Sequence, residues 1–587
     1  MSTNLISGLA SGFDWRGMID QLMAIEHQRI DLVEDRKADY ESKITILQSL
    51  NTKLLSFRTK AAELAISDSF NLFKSSLTTN SSTYSASDFL TVTTNSDASP
   101  GAHTIDMDIN STIAMARKIS SRSFSSYDEA LNLTGEFIIN SKAVNIESGD
   151  DLFDIQDKIN TLNTGTNATG VTASVLTVSS TNYRLILTSD NTGKDSLSIL
   201  DASADSTDIL QNSSSKPGLG FFDGTTPIIN NPTSDGAESN RFSSSEVAVG
   251  SLLGLTGAQT GTNITVGSSS TLDINLATDS LTTIASNINA LSGVSASVES
   301  VTEEGTTSYY IDISGTTSFV DQNNVLQTLG ILKGGQSDVA KVLVGEVANT
   351  EKSSGNPIDG STTFDDITDY TSDTGDTITI SGVKHDGTTV SATTFNIYDG
   401  GYKDIDALLD EIESQFGLTA GGAVMDANGK IQITDSSAGD SQLSISLVAN
   451  NEGWTSGGTL DFGDITASVE GYVMELQAGQ DANIIIDGTT ITSSSNLIDD
   501  VITGVTLNLL TVENPSSGTK TVNLTVSRDL NSVKSSIQDL LDGYNDVITD
   551  INAQFTYDEE SESAGLLQGD STLSSIKTSL QNILVNS

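Results

Sequence analysis

Apolar residues repeat with heptad spacing at both ends of the 587-residue chain, and this feature constrains the fold most strongly. Near the N-terminus the repeat is carried by Leu47, Leu50, Leu54, Phe57, Ala61 and Leu64. Near the C-terminus it is carried by Leu530, Val533, Ile537, Leu540, Tyr544, Val547 and Ile551. Such spacing places one apolar stripe along a helix, as in a coiled coil. The two ends are therefore predicted to be helical and to pack together.

The extent of these helices follows from their flanking residues. Residues 14–66 are predicted as one helix, because Asp14 is a suitable N-cap and the segment contains no proline. Its stripe is interrupted by basic residues at Arg29, Arg36 and Lys43. A second C-terminal helix carries Leu573, Ile576, Leu580 and Ile583, with Asp570 or Ser571 as its cap. The partner of the N-terminal stripe stays open between a helix of the same chain and a helix of another subunit.

The middle of the chain, about residues 119–465, has the strand and turn pattern of three loosely similar units. Each unit is predicted to run strand, strand, helix, strand, strand. In the first unit these elements are 135–140, 142–146, 151–160, 171–178 and 183–188. In the second they are 263–266, 271–275, 280–289, 294–300 and 308–314. In the third they are 377–381, 394–397, 404–413, 422–425 and 430–434. The apolar face of each short helix should cover one side of a small antiparallel sheet.

The predicted fold class is α+β and multidomain, with a coiled-coil-like helical stalk from both termini and an inserted head of β-β-α-β-β domains. Residues 1–118 are expected to form N-terminal stalk helices and the start of a core domain. The head units are expected at 119–212, 248–332 and 374–465, and the return to the core domain and stalk at 466–587. Residues 212–247 and 333–373 are rich in Gly, Ser, Asn and Asp and are predicted as long loops or linkers.

Charge and composition exclude several functional classes. The net charge of −49 disfavours nucleic acids and anionic membranes, and no apolar stretch is long enough to cross a bilayer. The chain has no cysteine, and its three histidines are far apart in sequence. None of the sequence signatures of nucleophilic, phosphate-binding or zinc-protease sites is present. We therefore predict no enzyme activity, no catalytic residue, no metal and no cofactor.

The N-terminus gives a mixed indication of location. It has neither the basic region nor the apolar run of a conventional secretory signal, which taken alone indicates the cytoplasm. The absence of cysteine and the polar, β-rich middle are more typical of an exported surface protein. An export route that removes no signal peptide would reconcile the two.

Several motifs at the ends of the chain carry a family resemblance. The first is Ile6-Ser-Gly8-Leu9-Ala-Ser11-Gly12-Phe13-Asp14, directly before the long helix. The others are Gln477-Ala-Gly479-Gln-Asp481-Ala482, Gly504-Val505-Thr506-Leu507, Val526-Ser527-Arg528-Asp529, Tyr544-Asn545 and Gly569-Asp570-Ser571-Thr572-Leu573. In combination and order they resemble the flagellar filament cap proteins, the hook-associated protein 2 (FliD) family. The resemblance covers about residues 1–118 and 466–587.

This resemblance implies a structural role at the distal tip of the bacterial flagellar filament. Members of the family are exported unfolded through the flagellar type III apparatus, without a cleaved signal, and assemble there as a homo-oligomeric ring. Their terminal helices contact filament subunits, and the cap promotes folding and polymerisation of exported flagellin. Implied partners are further copies of the chain, flagellin, the hook–filament junction protein and the export apparatus with its chaperone. The absence of disulfides and the six prolines suit an unfolded passage.

The apolar residues of the two ends are the predicted assembly contacts. They are Leu5, Ile6, Leu9, Phe13, Trp15, Ile19, Leu22, Leu47, Leu50, Leu54, Phe57, Ile537, Leu540, Tyr544, Val547 and Ile551. Residues 1–60 carry eight acidic and eight basic side chains, so this segment is electrically neutral. The neutral, apolar-striped segment is predicted to serve assembly, and the acidic remainder is predicted to face solvent.

Two features depart from the family pattern. Trp15 and Gly17 stand where the family usually has Ile or Leu and a small polar residue. The family also usually continues beyond the position of Ser587 to a last long helix that pairs with the first. We therefore expect that the sequence is truncated or that its stalk is unusual. In the first case residues 18–47 lack their natural partner.

Two rival functions follow from the same sequence. A tip adhesin could bind host glycans or mucin through the β-rich units, with Tyr309, Tyr310 and Trp454 as aromatic contacts, although core or turn packing also explains these residues. A lattice component, either a junction protein or flagellin itself, is the second rival. The internal motif that begins at Gly504 argues against this lattice role.

Overall fold

The computed structural model describes residues 14–107, 111–165, 167–204, 209–211, 218–224, 227–232, 235–268, 271–303, 306–370, 372–450, 460–512, 520–558 and 563–585. The chain divides into two compact units. Unit 1 contains residues 1–109, 485–489 and 497–587, and unit 2 contains residues 110–484 and 490–496. Each unit is described separately below.

The helices occur in both units. In chain order they are α1 Trp15–Leu64, α2 Ala86–Phe89, α3 Leu152–Leu162, α4 Val249–Leu253, α5 Leu281–Asn289, α6 Val325–Thr328, α7 Ile405–Phe416, α8 Leu530–Phe555 and α9 Ser571–Val585. Short 3₁₀ turns occur at Ser67–Phe70 and Phe364–Asp366. Among the described residues, no helix is both long and apolar enough to cross a membrane.

The strands are numbered in chain order. The N-terminal strands are β1 Phe73–Thr79, β2 Leu90–Thr94 and β3 Gly101–Met107. The next are β4 Lys118–Ser120, β5 Gly135–Ile139, β6 Lys142–Ile146, β7 Val171–Ser179, β8 Asn182–Ser189 and β9 Ile199–Asp201. Then follow β10 Ile228–Ile229, β11 Gly236–Glu238, β12 Thr260–Val266, β13 Thr271–Asn275, β14 Ser295–Glu303, β15 Thr306–Ser314, β16 Phe319–Val320 and β17 Leu332–Lys333. They continue with β18 Ala340–Gly345, β19 Thr377–Val383, β20 Thr389–Asn396, β21 Ala423–Met425, β22 Ile431–Ala438, β23 Ser444–Asn450 and β24 Ile465–Val469. The last are β25 Glu475–Gln477, β26 Ala482–Ile486, β27 Thr489–Ser493, β28 Leu497–Ile502, β29 Val505–Leu509, β30 Lys520–Arg528, β31 Tyr557–Asp558 and β32 Ser563–Ala564.

Unit 1 interleaves strands from the two ends of the chain. In one sheet the C-terminal strand β30 lies between the N-terminal strands β1 and β3, antiparallel to both. In a second sheet β29 lies between β2 and β28. Alternate side chains of these strands are buried, including Ile105, Leu507 and Leu524. Because neither end can complete a sheet alone, this core closes only when the two ends meet.

The long helices of unit 1 agree with their predicted positions. The Asp14 side chain accepts a hydrogen bond from the Gly17 amide at 2.9 Å, which caps α1. The Asp529 carboxylate caps α8 by accepting from the Ser532 amide, and the Asp570 carboxylate caps α9 by accepting from the Leu573 amide. The prediction that helices form near both ends of the chain is confirmed. The cap of α9 is Asp570 and not Ser571.

Unit 2 contains the three predicted β-β-α-β-β units, here called the first (118–201, with strand β25), second (228–333) and third (340–469) modules. Their predicted strands and helices are confirmed, with ends that differ by a few residues. The prediction of one sheet per module is wrong, because the two strand pairs belong to separate antiparallel sheets. These are β6-β5-β9 with β25-β4-β8-β7, then β13-β12-β16 with β11-β15-β14, and then β20-β19-β23 with β21-β22-β18-β24.

The helix of each module explains this division. Leu152, Ile155 and Ile159 of α3 are fully buried in a cluster that also takes side chains from both sheets of the first module. The corresponding faces of α5 and α7 are buried in the same way. An apolar face of this width fills the space between two small sheets.

The prediction of a long loop over 333–373 is also wrong in part. Strand β18 falls in this segment and lies between β22 and β24 in the sheet of the third module. Its partners are far along the sequence, so the neighbouring residues do not reveal the pairing. The other predicted loop, 212–247, contains the short strands β10 and β11, which pair with β17 and β15.

Candidate assembly surface

The two halves of α1 lie in different environments within unit 1. Every residue from Met18 to Tyr40 is exposed, although many of these side chains are apolar. From Ile46 onward the helix packs along α8, and Leu50 is 5% exposed. The N-terminal half is therefore available as a surface, whereas the second half belongs to a core.

The contact between α1 and α8 is apolar along its centre. Leu50 belongs to one buried cluster with Val547 and Ile551, which are fully buried. Further along, the rings of Phe57 and Tyr544 have centroids 6.1 Å apart at an interplanar angle of 58°. Residue numbers increase along α1 as they decrease along α8, so the helices run antiparallel.

Two lysines of α1 extend this contact at its edge. The Lys53 ammonium lies 2.6 Å from a carboxylate oxygen of Asp550. The Lys60 ammonium donates to the backbone carbonyl of Asp539 at 3.1 Å. Gly543 faces the same helix, since a Cβ placed on it would lie 3.4 Å from the Lys60 side chain. The Lys53–Asp550 pair is partly exposed, so these polar contacts add little to the apolar packing of the two helices.

The last helix completes the cluster. Leu573 and Leu580 of α9 pack against the α1–α8 pair, together with Leu567 from the preceding turn. Their exposed fractions are 1%, 9% and 5%, respectively. The described part of unit 1 thus holds a three-helix arrangement around the second half of α1.

The exposed half of α1 carries an apolar stripe of its own. Its members are separated by three, four or seven positions and are all at least 42% exposed: Ile19, Met23, Ile30, Val33, Tyr40, Ile44 and Leu47. Leu54, one heptad after Leu47, packs in the helix cluster. The same 3.5-residue period therefore runs from a free surface into a buried contact.

The structure divides the predicted assembly contacts into four groups. Leu50, Leu54, Phe57, Tyr544, Val547 and Ile551 come together in the helix cluster. Trp15, Ile19, Leu22, Leu47 and Ile537 are exposed. Leu540 is partly buried. Leu5, Ile6, Leu9 and Phe13 lie outside the described residues.

Sequence reasoning missed part of this surface. The stripe passes beside Arg29, Arg36 and Lys43, although Glu26 and Lys37 stand in its two gaps of seven positions. A search that accepts gaps of seven as well as three and four positions would have found it. Lys53 and Asp550 carry no comparable signal, because either residue also suits a solvated helix face.

Two of the three aromatic residues considered for glycan binding, Tyr309 and Tyr310, have contacts within the protein. Tyr309 packs against the core of the second module. The Arg241 guanidinium lies 4.6 Å from the centroid of the Tyr310 ring. Trp454 lies outside the described residues.

Two family profiles match the chain, one at each end. The profile described as "Flagellar hook-associated protein 2 N-terminus" matches residues 11–112, and the one described as "Flagellar hook-associated protein 2 C-terminus" matches residues 479–587. The first contains α1 and the N-terminal strands of unit 1. The second contains the strands that interleave with them and the helices that cover α1.

Curated relatives carry the same name. The chain is 34% identical over 128 residues to the flagellar hook-associated protein 2 of Campylobacter jejuni, covering 20% of this chain and 19% of that protein. It is 27% identical over 213 residues to the protein of the same name from Escherichia coli K12, covering 35% and 42%. The matched segments thus span less than half the length of either relative.

Solved structures of cap proteins are also similar. One is the flagellar cap protein FliD D1-D2-D3 domains from Escherichia coli, with a TM-score of 0.37, 15% identity and coverage of 92% of this chain and 77% of that one. Another is the flagellar cap protein FliD from Helicobacter pylori, with a TM-score of 0.21, 14% identity and coverage of 73% and 98%.

The family named in these matches is a structural component of the flagellum and not a family of enzymes. Its two terminal domains occur here in the expected order, and unit 1 joins them through shared sheets and packed helices. The two ends of the chain, residues 11–112 and 479–587, thus match the N- and C-terminal domains of the flagellar hook-associated protein 2 family.

Proposed function

We propose that this protein is a structural cap at the distal tip of a bacterial flagellar filament, where it promotes folding and polymerisation of exported flagellin. The observation that carries the proposal is the exposed apolar stripe of α1, within the N-terminal domain of the family. A stripe with heptad spacing is the surface that a second helix covers. Its continuation into the helix cluster indicates that the covering partner is also helical.

The proposed partners are helices of filament subunits and further copies of the chain. Both would be reached after export through the flagellar type III apparatus, without removal of a signal peptide. The neutral charge of residues 1–60 supports contact with other subunits, because it removes the repulsion that the remaining acidic chain would impose. We place the protein outside the cell, on the flagellum.

A gene deletion tests the proposal directly. Cells without the gene should release monomeric flagellin into the medium and lack long filaments. Reintroducing the intact gene should restore the filaments and stop the release. Normal filaments in the deletion strain would exclude the cap function. Electron microscopy of the cells and immunoblots of the medium measure the two outcomes.

Complementation with helix variants tests the stripe itself. The pair Ile30→Asp and Val33→Asp places two charges on the stripe, whereas Ala24→Asp and Ala38→Asp places two charges on exposed positions outside it. We expect only the second pair to restore filaments. Equal restoration by both pairs would show that the stripe is not the assembly surface, and circular dichroism confirms that both variants retain their helices.

A further inference from the structure

A polar cavity in unit 2 gathers positive charge in a strongly acidic chain. Its volume is about 610 Å³, and four basic residues line it: Arg117, Lys194, Arg241 and Lys333. The whole chain has 28 basic and 77 acidic residues. Two acidic residues, Asp195 and Glu238, share the lining, so this cavity has a positive balance where the chain as a whole is negative.

Two of the four cations are already paired and build the wall. The Arg117 guanidinium donates to the Glu475 carboxylate at 2.7 Å and to the Leu197 carbonyl at 3.2 Å. The Lys194 ammonium pairs with Asp195. These contacts account for the positions of Arg117 and Lys194 without any ligand.

Contacts among the described residues do not explain the positions of the other two cations, Lys333 and Arg241, in this way. Among the described residues, neither Lys333 nor Arg241 has a hydrogen-bond or ion-pair partner for its charged group. Lys333 is partly buried, and burial lowers the pKa of its ammonium. The positive charges of Lys194 and Arg117 lower this pKa further, whereas the negative charge of Asp195 raises it. A partly buried cation without a counter-ion is unfavourable unless an anion completes the site. Arg241 stacks on Tyr310, which orients its guanidinium and leaves its N–H donors free.

We propose that this cavity binds a small anionic sugar, with its carboxylate or sulfate group held by Lys333 and Arg241. A bare inorganic ion would fill a small part of a cavity within the usual size range of ligand sites. The Glu238 and Asp195 carboxylates can accept hydrogen bonds from sugar hydroxyls. A polyanion is disfavoured because the chain as a whole repels it. The inference is independent of the cap function.

Calorimetric titration of the full chain tests the assignment with three matched probes. Glucuronate presents a carboxylate, glucose 6-sulfate presents a sulfate ester, and glucose presents neither. We expect both anions to bind at least about tenfold more tightly than glucose. Their affinity should fall when NaCl is raised from about 50 to about 500 mM, since salt screens the attraction.

Variants then locate the site. Lys333→Gln and Arg241→Gln should each weaken glucuronate binding at least about fivefold. Lys384→Gln removes the same charge from the same unit outside the cavity and should leave binding unchanged. Arg241 is exposed, so its variant should fold and carries the test if the Lys333 variant does not.

Four outcomes would overturn the proposal. The first is glucose binding as tightly as the anions. The second is an unchanged affinity in both cavity variants. The third is inorganic sulfate binding as tightly as glucose 6-sulfate, which would mark a bare ion site. The fourth is a pentaglutamate peptide that competes with glucuronate for the cavity and binds more tightly than glucuronate does, which would assign the cavity to an acidic protein partner.

Discussion

The Lys53 ammonium lies 2.6 Å from a carboxylate oxygen of Asp550, across the antiparallel contact between α1 and α8. Their side chains are 40% and 36% exposed, so water and salt screen the pair. It lies beside Leu50 and Ile551, which are almost fully buried. The contact therefore combines a strong apolar centre with a weak polar edge, and the two parts can be tested separately.

The apolar centre should dominate the stability of α8. Ile551→Ala should accelerate hydrogen exchange of the α8 amides by roughly 30-fold or more, because removing a buried branched side chain costs about 2–5 kcal/mol. Ile537→Ala is the matched control on the same helix, since Ile537 is 41% exposed. Its effect should stay within about 0.5 kcal/mol. Equal acceleration by the two variants would contradict the assigned packing.

The ion pair between Lys53 and Asp550 should contribute little to the stability of α8. A double-mutant cycle with Lys53→Gln and Asp550→Asn should give a coupling energy of about 0.5 kcal/mol or less, because both side chains are solvated. Hydrogen exchange of α8 in each variant provides the measurement. The coupling should shrink further in about 0.5 M NaCl, and a value well above 1 kcal/mol would show that the pair is effectively buried.

A glycine turn in the third module should be intolerant of a side chain. Gly429 has φ +76°, and a Cβ on it would lie 2.2 Å from the Asn349 carbonyl oxygen. Gly400 has φ +74° with open space around it. Gly400→Ala should lower the free energy of unfolding by about 1 kcal/mol, because it adds backbone strain alone. Gly429→Ala should lower it by at least about twice as much, because it adds a clash as well. Calorimetric melts of the full chain compare the two, and equal shifts would contradict the close approach of Asn349.

The third module should lose part of its stability in acid through Asp435. Burial tends to raise the pKa of this carboxyl, but hydrogen bonds from Ser441, His385 and Ser437 outweigh it and lower the pKa below 3.8. The stabilisation is therefore present above about pH 3.8 and lost as the pH falls through the lower folded value. Asp435→Asn should lower the melting temperature at pH 7, and its difference from the wild type should shrink below pH 3.8.

The control for this titration is Asp464→Asn, which changes an exposed carboxyl in the same module. Its melting temperature should match the wild type at both pH values. A constant difference between Asp435→Asn and the wild type from pH 7 to below pH 3.8 would show that the carboxylate charge does not stabilise the module.

Prediction from sequence succeeded where the information is local. The heptad spacing through Leu50 and Leu54, the capping residues Asp14 and Asp570, and the 3-4 periodicity of α3 all depend on neighbours within a few positions. The one-sheet prediction failed because strand partners such as β18 and β22 are about 90 residues apart. The candidate site was predicted only in part, since periodicity identifies a stripe without saying which stretch is covered.

By itself, the sequence determined that the chain has helical ends, three β-β-α-β-β modules and terminal motifs that match the flagellar hook-associated protein 2 family. It did so because periodicity, capping and motif order are properties of short segments. The tertiary structure decided which part of the α1 stripe is buried and which is free. It also decided that Lys333 and Arg241 line one cavity, although they are 92 positions apart in the sequence. Both outcomes depend on contacts between distant segments, whose energies no local pattern contains.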